Sequence, residues 1–226
     1  MSIAIILARG GSKGIPRKNT IDLDGKPLIL WSIEQALSSK VISVVYVSSD
    51  DDEILKLSEN SGAVPIKRGA ALSTDTATSE AGWLDVLGQT EPEQSENAVF
   101  FALQATSPIR EPSDFDLAYK QFCESELDSL FSAEVIRDHY IWKKTNHVLY
   151  PDNFRYENRG MRQDMQPKYL ENGSFYILNL KKFKIEKKRH FGKVGVYEMQ
   201  KYKSIQIDQP DDVKIAKALM RYWQYE

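Results

Sequence analysis

The sequence predicts an α/β fold in which a mainly parallel sheet carries helices on both faces. Three observations predict it. Residues 3–8 (IAIILA) form an unbroken apolar run of strand length, as a strand covered on both faces requires. Residues 41–49 (VISVVYVSS) form a second such run, rich in β-branched side chains. Segments of helical period alternate with these strands as far as a further strand, AVFFALQ, at 98–104.

The elements follow in order. A glycine- and lysine-rich loop occupies 9–19. In KPLILWSIEQALSS, Leu28, Trp31, Ile33 and Leu37 fall on helical spacing. A helix is predicted from Asp52 to Asn60, then a short VPI strand, the loop RGAALSTDTATS (68–79) and a helix from Ser79 to Leu87. DFDLAYKQFCES reads as another helix. Beyond it the pattern loosens: SLFSAEV (129–135), GSFYILNL (173–180) and SIQID (204–208) read as strands. A final helix begins near Asp211, with Ala216, Leu219, Met220 and Trp223 on one face. Residues 136–170 mix aromatic, charged and amide side chains without a strong period. They read as an extended arm or small subdomain within a single domain spanning 1–226.

Bulk properties narrow the function. A chain of 226 residues buries one sizeable core, and no apolar run reaches the length of a membrane span. The first apolar run has no basic residue before it and meets Arg9 at once. It reads as a strand rather than a signal peptide, so a cytoplasmic location is expected. A net charge of −2 argues against a bulk nucleic-acid binder. The single cysteine, Cys123, excludes an internal disulfide and a cysteine zinc site, and is expected to be packed in its helix. His139, His147 and His190 lack metal-ligand spacing.

The strongest chemical signal is LARGGSKGIPRKN (7–19). Gly10, Gly11 and Gly14 let the backbone come close to a ligand and turn its amides inward. Arg9, Lys13, Arg17 and Lys18 put four cations within ten residues, directly after the first strand. A polyphosphate is the natural partner for that charge at a strand's carboxyl end. The spacing matches neither the P-loop nor the GxGxxG dinucleotide pattern.

Together with RGAALSTDTATS, LQATSPIR (103–110), MRQDMQPKYLENGSFYIL (161–178) and SIQIDQPDD (204–212), this loop resembles the signature of the nucleotidyltransferases that make CMP-sialic, CMP-legionaminic and CMP-pseudaminic acids. The resemblance implies a Rossmann-like sheet of the nucleotide-diphospho-sugar transferase type with a small dimerisation arm. It also implies CTP and a nonulosonic sugar acid as substrates, Mg²⁺ as cofactor and a homodimer. In that family pattern Arg9, Lys13 and Lys18 hold the triphosphate, with Gly10, Gly11, Ser12 and Asn19 beside it. Arg68 and Ser79 are the cytosine contacts, although STDTATS also suits an ordinary helix start. Gln104 meets the sugar acid. Ser107 and Pro108 read as a structural turn, and Arg110 fits either role. His139, Lys143, Arg162 and Gln163 fall in the arm, with Arg162 the carboxylate partner; Lys143 equally suits a solvated charge. Asn172, Tyr176 and Phe191 shape the acyl pocket, or, for the two aromatics, pack the core.

Two departures stand out. The family's metal-holding Asp-x-Asp corresponds here to Gln206 and Asp208, leaving one carboxylate for Mg²⁺. Leu170 stands where many relatives carry Arg. These departures keep two rivals open: a cytidylyltransferase for another 3-deoxy sugar acid such as Kdo, and a non-catalytic regulator binding CTP or a CMP-sugar.

Overall fold

A computed structural model describes residues 2–90, 95–137, 139–157, 161 and 166–223. The first apolar run forms β1 (Ser2–Leu7). A small hairpin of β2 (Asp22–Leu23) and β3 (Lys26–Pro27) leads into α1 (Leu28–Leu37). Next come β4 (Val44–Ser49), α2 (Asp52–Asn60), β5 (Val64–Lys67), α3 (Ser79–Thr90) and β6 (Val99–Gln104). The second half holds α4 (Pro112–Glu124), β7 (Ser129–Ile136), β8 (Trp142–Thr145), β9 (Val148–Pro151) and β10 (Lys168–Asn179), then α5 (Leu180–Glu186), β11 (Val194–Met199) and α6 (Pro210–Trp223).

Seven strands form one sheet in the order β11-β7-β10-β6-β1-β4-β5. β1 pairs in parallel with β4 and β6, β4 with β5, and β7 with β11. Only β10 runs against its neighbours, β6 and β7. The sheet is mainly parallel, as the apolar runs predict, and side chains alternate between its faces. Ala4, Ile6, Val45, Val47, Phe101 and Leu103 pack under α1, α2 and α4. Ile3, Ile5, Phe100 and Ala102 pack against Trp83, Val86 and Leu87 of α3 and Phe183 of α5. A third cluster joins Ile15, Leu28, Ile109 and Ile207 to Ala216 and Met220 of α6, fixing the last helix against the cationic loop.

Local chemistry sets the boundaries. Asp51 caps α2 by accepting from the backbone N–H groups of Glu53 and Ile54. Glu111 and Asp114 form a reciprocal capping box around Pro112 at the start of α4. Asn179 accepts from the Lys182 N–H, so the predicted strand 173–180 stops there and Leu180 opens α5.

Three expectations are corrected. SIQID (204–208) is not a strand: Lys201–Ser204 is a 3-10 turn, and after it Ile207 N donates to Thr106 O without a ladder forming. The β-branched pattern there serves the packing of Ile205 and Ile207 onto the third cluster. Cys123 is exposed rather than packed, because Phe122 takes the core position of that turn. β10 also reaches back to Lys168, inside the predicted arm. The described arm also holds the β8–β9 hairpin, closed by Asn146 and His147, both at positive φ as a two-residue turn requires.

Candidate active site

Strand order reverses between β4 and β6 on either side of β1, and ligands of open α/β sheets bind at the carboxyl end of such a switch point. Leu7 lies in register with both Ser48 and Gln104, so the chain leaves β1 between the ends of its two neighbours. A cleft of about 330 Å³ opens there. Arg9, Ser12, Lys18, Asn19, Arg68, Ser79 and Gln104 all line it.

The loop after β1 is held in shape by a polar group of its own and by one that follows β4. Asn19 Nδ2 donates to Arg9 O at 2.9 Å, and Gly10 N donates to Asp50 Oδ1 at 3.0 Å. Gly14 is needed for close approach: a Cβ there would lie 2.2 Å from Asp208 O. A Cβ on Gly11 would meet nothing within 4 Å, so the fold itself does not demand that glycine. The cations diverge. Arg9 NH1 and Lys13 Nζ each lie 2.7 Å from a different oxygen of Asp75, while Lys18 Nζ donates to Asp208 Oδ1 at 2.8 Å. Arg17 turns away, to Glu53 and Asp51 of the α2 start.

Arg68 supplies the buried wall. Its side chain is 5% exposed, its NH2 stands 3.9 Å from Asp50 Oδ1, and its Nε has no hydrogen-bond partner among the described residues. Burial pulls its pKa below the ordinary arginine value, and the Asp50 carboxylate opposes that. Opposite it, Thr78 Oγ1 accepts from Ala81 N and caps α3, while Ser79 reaches the cleft. Helix start and ligand wall therefore share one segment.

At the far wall, Gln104 ends β6. Gly173, at φ +64, leaves no room for a Cβ: it would lie 2.5 Å from Gln206 Nε2 and 3.3 Å from Gln104 Nε2. Both glutamine side chains thus crowd that glycine. Gln206 Nε2 donates to Asn172 O, a bond that a carboxylate there could not make. Arg110 is structural. Fully buried, it donates to Ser174 O, Gln104 O, Ser32 Oγ and Gln35 Oε1, locking β6 to β10 and α1. Burial lowers its pKa to about 9, which still leaves it a cation at neutral pH.

Asn172, Tyr176 and Phe191 are not brought into the cleft lining. Asn172 is buried with its amide saturated: Oδ1 accepts from Ser132 Oγ and Ser174 N, and Nδ2 donates to Ser204 Oγ and Met199 Sδ. Tyr176 and Phe191 pack with Trp83 and Phe183, beneath α3 and α5. Burial and the Glu171 carboxylate push the Tyr176 hydroxyl up to about 12, so it is a donor rather than a base at neutral pH. Arg162 and Gln163 lie outside the described residues. In the arm, His139 O accepts from Asn153 Nδ2, and Lys143 sits 3.7 Å from Asp152. Sequence reasoning missed Asp75, Trp83 and Thr106 in the lining. Of these, Asp75 is the one carboxylate inside the STDTATS block, where it reads as part of a helix start.

Arg9, Lys18 and the buried Arg68 share one cleft at the carboxyl edge of a mainly parallel sheet, an arrangement that suits a phosphorylated ligand. The chain belongs to the cytidylyltransferase family, whose model matches residues 3–226. It is 37% identical to an N-acylneuraminate cytidylyltransferase of Oncorhynchus mykiss over 95% of its length, and spans about half (49%) of that relative. It is 34% identical to a pseudaminic acid cytidylyltransferase of Campylobacter jejuni, covering 97% of this chain and 96% of the relative. A CMP:2-keto-3-deoxy-manno-octonic acid synthetase solved in complex with CTP shares the fold, with a TM-score of 0.71 and 16% identity over 98% of this chain and 99% of that one. No helix among the described residues is long and apolar enough to cross a membrane.

Proposed function

We propose that the chain transfers a cytidylyl group from CTP to a sialic-acid-like nonulosonic acid. The sugar's anomeric oxygen attacks the α-phosphorus, the bond to the β-phosphate breaks, the hydroxyl proton leaves, and pyrophosphate departs. The observation that carries this reading is the convergence of Arg9, Lys18 and Arg68 on one cleft, with Gln104 closing its far wall. Nucleotidyl transfer is catalysed mostly by positioning and fixed positive charge, which these residues can supply. The relatives' names favour a nonulosonic acid over Kdo, whose synthetase is similar in fold alone.

Magnesium fits the donor set only sparsely. Among the described residues no group of three His, Cys, Asp or Glu side chains is placed to hold a metal. Asp208 is an exposed carboxylate at the cleft's edge, and Mg²⁺ accepts one carboxylate when phosphate and water supply the rest. Held there by Asp208, the ion would neutralise phosphate charge. A homodimer joined through the 136–170 arm completes the proposal.

The test is incubation with CTP, Mg²⁺ and a mixture of nonulosonic acids and Kdo, with mass analysis of the product. A CMP-nonulosonic acid is expected. A CMP-Kdo product alone would replace the substrate. CTP binding without product from any acceptor would favour the regulator, the reading that Gln206 motivates. Asp208→Ala should lower pyrophosphate release at least about 100-fold, the scale of losing one fixed contact to developing charge.

A further inference from the structure

One carboxylate joins the two cations at the cleft mouth. Asp75 lies 66 residues from Arg9, in the segment between the 3-10 turn Ala70–Leu72 and α3. It binds Arg9 through Oδ1 and Lys13 through Oδ2, each at 2.7 Å. Lys13 is 78% exposed on a long flexible stem, and Asp75 is its one ion-pair partner among the described residues. Asp75 is also the one ion-pair partner of Arg9 within that set. A carboxylate offers two oxygens to two cations much as a phosphate does. Those same donors are the ones a polyphosphate needs.

We propose that Asp75 is an anion placeholder: it bridges Arg9, which lines the cleft, to Lys13 outside the lining, and it yields both cations when a polyphosphate binds. This rests on the reading of Arg9 and Lys13 as triphosphate ligands. The lysine and arginine hydrogen bonds hold the Asp75 carboxyl below its usual range, so it competes as an anion throughout neutral pH. Because it opposes every polyphosphate alike, Asp75 weakens the grip on pyrophosphate as well as on CTP and eases the departure of the leaving product. Nucleoside contacts at Arg68 and Ser79 are untouched by the exchange.

The test is calorimetric titration of the full chain, in Mg²⁺ buffer, with CTP, pyrophosphate and cytidine. Asp75→Asn removes the charge and keeps the shape. Glu53→Gln removes a charge of the same sign from Arg17, in the same loop but turned away from the cleft. Asp75→Asn is expected to tighten CTP and pyrophosphate about five-fold, the upper range for a partly exposed ion pair, and to leave cytidine unchanged. Glu53→Gln is expected to change none of the three. Weaker or unchanged polyphosphate binding by Asp75→Asn, an equal gain from Glu53→Gln, or the same gain for cytidine would each overturn the placeholder. A wild-type chain that binds pyrophosphate but not CTP would defeat the cytidylyl reading alone, leaving the pyrophosphate arm to decide Asp75. Binding of neither would overturn both.

Discussion

Arg68 is a cation almost out of reach of water, with one carboxylate nearby and one donor unmatched. Such a group costs stability unless a ligand completes it. Arg68→Met is therefore expected to bind CTP about ten-fold more weakly, the worth of one charged hydrogen bond, while melting no lower than wild type. Titration and a melting curve check the two halves. A large loss of stability with unchanged affinity would make Arg68 a structural residue. At this scale the sequence fixes residue type and chain position but not direction. The cleft position of Arg9, Lys18 and Gln104 was legible because a loop directly after a strand, like the strand's last residue, lies at the carboxyl edge. Asn172 was not, because its Asn-Gly block reads the same whether the amide meets a ligand or, as here, four neighbours in the core. Asp75 hid for a related reason: a carboxylate among hydroxyls before a helix looks like a cap, and only the fold sets it across from Arg9.

Between elements, the ion pair that ties α3 to the segment after α5 governs one wall of the site. Arg189 Nε donates to Glu80 Oε1 at 2.7 Å, NH1 donates to Tyr176 OH, and the guanidinium lies over the rings of Trp83 and Tyr176. Burial, the largest single influence, pushes the Glu80 carboxyl up, but the Arg189 hydrogen bond, a backbone hydrogen bond and the Arg189 charge together outweigh it and hold the pKa below the ordinary value. A carboxyl depressed in the folded state stabilises above its unfolded pKa, near 4.3, and loses that contribution as pH falls through the folded value. Glu80→Gln is expected to cost about 1 kcal/mol at pH 7, a partly exposed charged pair being worth no more. The gap to wild type should narrow as pH falls below about 4.3. Urea unfolding at pH 7, 5 and 3 reads it; a gap as wide at pH 3 as at pH 7 would remove the carboxylate as its cause. The strands were legible wherever an unbroken run of apolar or β-branched residues reached strand length, as in β1, β4 and β6. SIQID failed because its alternating apolar residues face α6 and the cationic loop rather than a neighbouring strand. Pairing is a property of what lies alongside, which one segment cannot report.

For the whole molecule, the mainly parallel sheet followed from the alternation of strands and helices, while the reversed direction of β10 did not. Direction is set by what lies between strands, and 136–170 lacked a period. That same arm carries the proposed homodimer. A two-stranded hairpin is marginal in water unless something covers it. Here β8 and β9 stand apart from the main sheet and expose Trp142, Val148, Leu149 and Tyr150, each more than 40% accessible. The register puts Trp142 and Leu149 on one face of the hairpin and Val148 and Tyr150 on the other, so each face shows apolar surface of the kind that marks an interaction site more often than a free face. Sedimentation of the chain is expected to give twice its own mass. Leu149→Asp, which inserts a charge at a position 56% exposed, should give a folded monomer without touching the core. If the arm also carries Arg162 to the partner's sugar acid, that monomer should keep CTP affinity within about two-fold. Its kcat/KM for the nonulosonic acid should fall at least ten-fold, the loss of roughly one charged contact. A wild-type monomer would dissolve the dimer reading. A Leu149→Asp monomer with full sugar-acid turnover would keep the dimer and confine each site to its own chain.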